Sequence, residues 1–483
     1  MKTKLFLSSL LLIVGMVVSA QNFTIVPKIP PLTRICMSVA ENPNTPSETL
    51  KELAKDTVPG VRKIVARNLN TPIETLKELA KDSDYWVCTS VAENLNTPVE
   101  TLKELANNQN VLRSVARNPN TPIEILKKLA KNDRAYVRAG VAYNPNTPIE
   151  ILKELAKDND KEVRAYVARN ENTSAEILKV LAKDPDCEDF FGEPLCHIRD
   201  GVATNPNTPI ETLKELAKDS NIKVREWVLK NPNISTEILR ILAKDSEVDI
   251  RSKVASDSNT PAEILKELAK DKELFVRRLV AENLNTSVEV LKKLAKDSDE
   301  EVRWNVAGNP NTPIKILKEL AKDSSSVRAG VAENSNIPIE ILKKLAKDDG
   351  AYVRAGVASN PNTPTEILNE LAKDSVLRVR MNVATNSSTP IETLKELAKE
   401  QTIKNKFPVR ADVARNLNIP IEILRELARD SDYYVRYEVV NNPNTPIEIL
   451  KELAKDNSFM IREYVAKNPN TPAETLTELT KEF

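Results

Sequence analysis

A single phrase recurs through nearly the whole chain and fixes its architecture before any residue is weighed alone. It reads Asn144-Pro145-Asn146-Thr147-Pro148-Ile149-Glu150-Ile151-Leu152-Lys153-Glu154-Leu155-Ala156-Lys157-Asp158, then a few variable residues and Val163-Arg164. Seventeen copies are marked by the first Asn or its equivalent, from Asn42 to Asn468, with Asp257 in its place in the ninth. Twelve of the sixteen intervals are 26 residues; the others are 24, 25, 30 and 35, and all four fall after the Leu-Ala-Lys-Asp stretch. That stretch therefore leads into a loop, because loops absorb changes of length. A period of this size means stacked supersecondary units, each too small to bury a core without its neighbours.

Each unit is expected to hold two helices. Thr147 is read as N-cap of the longer one, with Pro148 in the first helical position and Glu150 completing a capping box. This reading makes the chain's 30 prolines start signals rather than helix breakers. Ile149, Leu152, Leu155 and Ala156 form an apolar stripe at helical spacing. The shorter helix is Val137-Arg138-x-x-Val141-Ala142, ended by Asn144 in a left-handed turn. No strand pattern accompanies them. The fold expected is all-α, with about 17 two-helix repeats.

The phrase Val-Arg-x-x-Val-Ala-x-Asn-Pro-Asn-Thr-Pro-x-Glu-x-Leu-x-x-Leu-Ala-x-Asp resembles the leucine-rich repeat variant family over residues 34–483. Asp158-x-x-x-x-Val163-Arg164 is similar to the Asp/Val-Arg signature of HEAT repeats. The resemblance implies a right-handed, armadillo-like α-α superhelix, with the short helix partly 3₁₀. The iron–sulfur module of the first-described member is not expected, because no cysteine cluster precedes the repeats.

Residues present in nearly every unit are expected to hold the fold, and function is expected where units differ. Half-buried arginines need carboxylate partners, so the Arg column is read as a ladder with the preceding Asp column: Asp158 with Arg164, Asp219 with Arg225, Asp245 with Arg251, Asp271 with Arg277, and Asp297 with Arg303. The other reading is a ligand-binding arginine row. In the fourth unit Leu112 replaces the Arg and Asn108 the Asp before it, although Asn132 precedes an intact Arg138. The Asn columns are assigned to turn hydrogen bonding rather than to a carbohydrate or ion ladder.

The units differ mainly between the Asp and Asn columns, where the aromatic residues collect. Trp304, Tyr437 and Tyr143 are expected to point away from the short-helix valines. Trp86, Tyr136, Phe275, Tyr352 and Tyr434 share a second outward column, and Trp227 lies on the same helix. Exposed Trp and Tyr are what binding faces use; the alternative is filler between repeats. The insertion over about 185–196 adds Phe190 and Phe191 in an acidic loop flanked by Cys187 and Cys196, expected to be disulfide-bonded. A shorter basic insertion spans 401–407. Cys36 and Cys88 each replace a column arginine and are read as buried free thiols.

Lys2, Lys4, the apolar stretch 5–18 and Val18-Ser19-Ala20 read as a signal peptide over 1–20, followed by a linker over 21–33. The expected location is outside a bacterial cytoplasm: periplasm, cell surface or medium. No later segment is apolar enough to span a bilayer. Seventy basic side chains balance seventy acidic ones, so bulk charge gives no reason to expect nucleic acid. No metal, cofactor or catalytic residue is expected. A single histidine leaves no metal-ligand set, and no nucleophile–base pair or phosphate loop appears. A clustered carboxylate pair off the repeat columns, with shifted titration, would favour an enzyme or an accessory lyase-like protein. The leading expectation is a scaffold that binds a protein or peptide through the variable short-helix face; the alternative is a surface spacer without a ligand.

Overall fold

A computed structural model describes residues 30–190, 193–401 and 408–481. The segment 1–20 read as a signal peptide, most of the expected linker, Phe191 and the insertion beyond Gln401 lie outside the described residues, as do the side chains of 188–190 and 193–195. The described residues form thirty-four α-helices in seventeen pairs, together with one short hairpin.

In each pair, a helix such as Ala135–Tyr143 leads through the Asn-Pro-Asn-Thr-Pro turn into one such as Ile149–Leu155. The expected lengths are reversed: the first helix has nine residues, the second seven. Both are α-helical, so the implied 3₁₀ character is absent from them. The second helix is the shorter because Thr147 does not cap it. Its hydroxyl instead donates to the Val141 carbonyl at 2.7 Å, and Pro148 occupies the N-cap without a side-chain cap. Where Ser235 and Ser287 replace that proline, their hydroxyls accept from the backbone of Ile238 and Val290. The apolar stripe is also shifted. Ile149 is 50% exposed, whereas Ile151, Leu152 and Leu155 are buried.

The first helix of each pair packs directly on its counterparts in adjacent repeats, whereas the second makes little contact with its own counterparts. The first set is therefore the crowded inner layer and the second the spread outer layer. Crowding shows at Gly140, where a Cβ would meet the Arg113 carbonyl oxygen of the preceding inner helix at 2.9 Å. The Asn column ties the layers together. Asn144, extended at φ −64° and ψ 123° rather than left-handed, donates Nδ2 to the carbonyls of Ala116 and Asn118, both at 2.7 Å, in the preceding repeat. Its Oδ1 accepts the Asn146 amide at 2.9 Å. The turn bonding expected is present, and an inter-repeat ladder is added to it.

That ladder does not stop at the first repeat. Asn42 donates to the carbonyls of Ala466 at 2.7 Å and Asn468 at 3.0 Å, the same two acceptor positions in the seventeenth repeat. The inner helix Pro31–Glu41 packs on the last inner helix, Phe459–Lys467. The Thr49 and Thr477 hydroxyls are hydrogen-bonded at 2.8 Å, and Arg34 pairs with Glu463 at 2.6 Å. The array closes into a ring whose first repeat sits on the last as any repeat sits on its predecessor. Inner helices packed 8–10 Å apart give a perimeter of roughly 150 Å and an opening on the order of 35 Å across.

Candidate binding face

The Arg column is fully engaged inside the wall, with a register different from that expected. Arg164 Nη1 donates to the Asp158 carbonyl at 2.7 Å, but its carboxylate partner is Asp184, at 2.8 Å. The rule holds along the ring: Arg225 pairs with Asp245, Arg251 with Asp271, Arg277 with Asp297, and Arg303 with Asp323. Asp219 pairs with Arg199. Each arginine reaches the aspartate twenty residues ahead because that residue ends the outer helix of its own repeat. The aspartate behind offers only its backbone oxygen. In most of these carboxylates Oδ1 also accepts the amide two residues on, as Asp158 does from Asp160 at 2.9 Å, and in Asp323 it accepts the next amide, Ser324, at 2.7 Å. With both partners spent, the column offers little to a ligand.

The variable positions face the lumen. On the inner helix the valines and Arg point into the wall, so the residues opposite them line the opening. Tyr85, Trp86, Tyr136, Tyr143, Phe275, Trp304, Tyr352 and Tyr434 are exposed there. Trp227 and Tyr437 are half-buried against the core. Tyr437 does not stand free because Tyr464 of the next repeat meets it edge-on at 4.6 Å and Tyr433 stacks on it. The aromatics form a discontinuous belt rather than one patch, and basic groups accompany them. Lys63 lies 5.2 Å from the Trp86 ring centre, Arg117 4.0 Å from that of Tyr143, Lys230 4.0 Å from that of Trp227, and Arg378 5.7 Å from that of Tyr352.

Three hollows on the inner wall join end to end. The first, between Trp86, Arg113 and Tyr136, has about 590 Å³. It shares Ser114 and Arg117 with the second, about 700 Å³ around Tyr143, Tyr166 and Arg169. The third, about 400 Å³, continues from Tyr166 and Arg169 to His197. Together they make an open trough across the third to seventh repeats.

Two buried acids sit apart from the repeat columns, each in the first helix after an insertion. Burial pushes Asp200 up to about 6 and Asp412 up to about 7, against partial opposition from Arg169 and Arg415 respectively. Asp412 and Glu438 share Arg415, which donates to Asp412 at 3.0 Å and Glu438 at 2.5 Å. A clustered carboxylate pair off the repeat columns, both shifted, would have favoured an enzyme; here the raised group is Asp412 alone. Asp412 is 2% exposed, so it holds a proton inside the wall and cannot meet a substrate. No motif announced it, because Asp412 occupies a position that is Gly140 or Gly356 elsewhere.

Cys187 and Cys196 are disulfide-bonded and close the hairpin of Glu188–Phe190 with Glu193–Leu195, strands that the helical pattern had not indicated. Cys36 and Cys88 are free and buried. Among the described residues no group of three or more His, Cys, Asp or Glu could hold a metal ion, and no helix is long and apolar enough to cross a membrane.

Residues 59–84 match the family model described as leucine rich repeat variant. No curated protein matches the chain. Among solved structures, the chain is similar to a leucine-rich repeat variant reported with a novel repetitive structural motif: 26% identity, 49% of this chain and 88% of that one, TM-score 0.29. It is also similar to importin beta, with 12% identity over 93% of this chain and 63% of that one, TM-score 0.30. Kap95p, in a study of its binding to RanGDP, gives 11% identity over 90% and 67%, TM-score 0.31. The matched segment is one repeat, inner helix, Asn turn and outer helix, and its phrase recurs in register seventeen times: the chain is an α-solenoid of helix pairs whose repeat resembles the leucine-rich repeat variant.

Proposed function

We propose that this protein is an exported ring-shaped scaffold that holds a protein or peptide partner against its lumen face. The observation that carries the reading is the division of labour among its side chains. Repeated Arg, Asp, Asn and Thr residues spend their polar groups inside the wall, while exposed aromatics concentrate on the variable lumen positions. Such residues supply large, rigid contact area where a partner excludes water. A spacer gains nothing from a repeat array whose first and last repeats meet, so the closure at Asn42 and Asn468 weighs against that alternative. Export rests on the basic, apolar and small-residue segments of positions 1–20 and accords with the Cys187–Cys196 bond.

The test is site-specific photocrosslinking in the source cell. A photoreactive residue at Tyr352, 68% exposed in the lumen, should capture a defined protein that the same residue at Ile149 on the outer layer does not. Trp304→Ala with Tyr434→Ala should weaken the capture. Equal yields from both sites would end the lumen reading. A mature chain beginning before Gln21, or found only in the cytosol, would end the export reading.

A further inference from the structure

The trough of the third to seventh repeats, together with the second repeat that flanks its end, has an order of its own. Basic side chains project from the inner helices of the second, fourth and sixth repeats, and aromatic rings from the third, fifth and sixth. Among the described residues, Arg117 and Arg169 have no carboxylate within ion-pair distance, whereas Arg67 and Arg113 are engaged by Glu93 at 3.7 Å and Glu162 at 3.2 Å. Arg117 instead lies over the face of Tyr143, which meets Tyr166 edge-on at 5.7 Å.

We propose that this trough binds an extended, proline-rich peptide whose acidic residues recur about every sixth position. The inference rests on the lumen reading above and names the chemistry of its ligand. The hollows are open and share walls, which suits a chain lying along them better than a compact molecule. A polyproline II segment advances about 9.3 Å per three residues and presents every third residue on one face. That advance matches inner helices 8–10 Å apart, so acids six residues apart fall opposite alternate, basic repeats. Prolines between them fall on the rings of Trp86 and Tyr143, the surface such segments use elsewhere. A uniform polyanion fits worse, because Glu93 and Glu171 also line the trough.

The experiment uses the full-length mature chain and a fluorescent peptide, Glu-(Pro)5-Glu-(Pro)5-Glu, read by anisotropy. Binding is expected, with at least a tenfold loss for the same peptide with lysine for glutamate. A similar loss is expected for Arg117→Glu with Arg169→Glu, two surface changes whose folding is checked by circular dichroism. A peptide with its three glutamates adjacent should bind several-fold more weakly. Equal binding of the lysine peptide, no effect of the double substitution, or tighter binding of a thirteen-nucleotide thymidine strand would overturn the proposal. If the peptide fails while Tyr352 still captures a lumen partner, the trough assignment falls and the scaffold reading stands. If lumen capture fails as well, both fall.

Discussion

Arg62 is bonded to Asp82, twenty residues ahead of it, through Nε to Oδ2 at 2.7 Å and Nη2 to Oδ1 at 2.9 Å, while its Nη1 caps the Asp56 carbonyl at 2.8 Å. The same offset explains the next two repeats, where the Arg position is Cys88 and then Leu112. The residues twenty ahead are Asn108 and Asn132. Both times the cation and its carboxylate are lost together, as expected if an unpaired charge in this half-buried site is costly. Arg62→Leu or Asp82→Asn alone should each destabilise by roughly 2–3 kcal/mol, and the double variant by clearly less than their sum. Local hydrogen exchange over residues 58–84 is the readout, since a long repeat array need not unfold in one step. Additive losses would deny the pairing.

The pair also sets a pH dependence. The hydrogen bonds from Arg62 hold the Asp82 carboxyl below its usual range. A carboxyl with a depressed folded value adds stability above about pH 4, lost as pH falls through that folded value. The buried acid Asp412 has the opposite sign. Desolvation raises it to about 7, so its folded form keeps a proton that the unfolded chain releases near pH 4, and stability falls as pH rises from there to about 7. Asp412→Asn should therefore melt higher than the parent chain at pH 8, by up to about 4 kcal/mol of stability. The difference should vanish near pH 4. A gap that does not change with pH would show that Asp412 is charged in the folded protein.

The asparagine ladder has one broken rung. Asp257 stands where sixteen repeats carry Asn. It still accepts the Asn259 amide at 2.8 Å, but a carboxylate has no hydrogen to give the Leu229 and Asn231 carbonyls behind it. Asp257→Asn should restore both bonds and stabilise the junction of the eighth and ninth repeats by about 1 kcal/mol, seen as slower exchange of amides near 228–260. Unchanged or faster exchange would mean that the rung adds nothing there.

The period of 26, the helix pair and the buried Val, Leu and Ala positions were legible in the sequence because helical spacing and invariance expose them directly. The Arg62–Asp82 register was legible too, in the paired losses at Cys88/Asn108 and Leu112/Asn132, but only by comparing residues twenty apart ahead rather than six behind. Thr147 misled because Thr before Pro is a common cap, and only the fold shows its hydroxyl turned back to Val141. Closure was not legible. It depends on the small rotation added at each repeat, which accumulates over seventeen of them and which the repeated phrase does not reveal.

Closure is the property most open to direct test. Thr49 and Thr477 lie 428 residues apart in sequence, yet their hydroxyls are 2.8 Å apart across the seam. In a chain with Cys36 and Cys88 changed to Ser, Thr49→Cys with Thr477→Cys should form an intramolecular disulfide under mild oxidation. It would appear as a faster-migrating monomer on a non-reducing gel and revert with reductant. The cross-link should also raise the melting temperature, because it ties the ends of a very long loop. Disulfide-linked dimers in place of the fast monomer would mean that the seam forms between two chains, each end repeat docking on the other copy. Free thiols throughout would mean an open superhelix in solution. In that case the lumen would be a groove with ends, and a partner could enter it without breaking the Asn42 and Arg34 contacts that now bar the way.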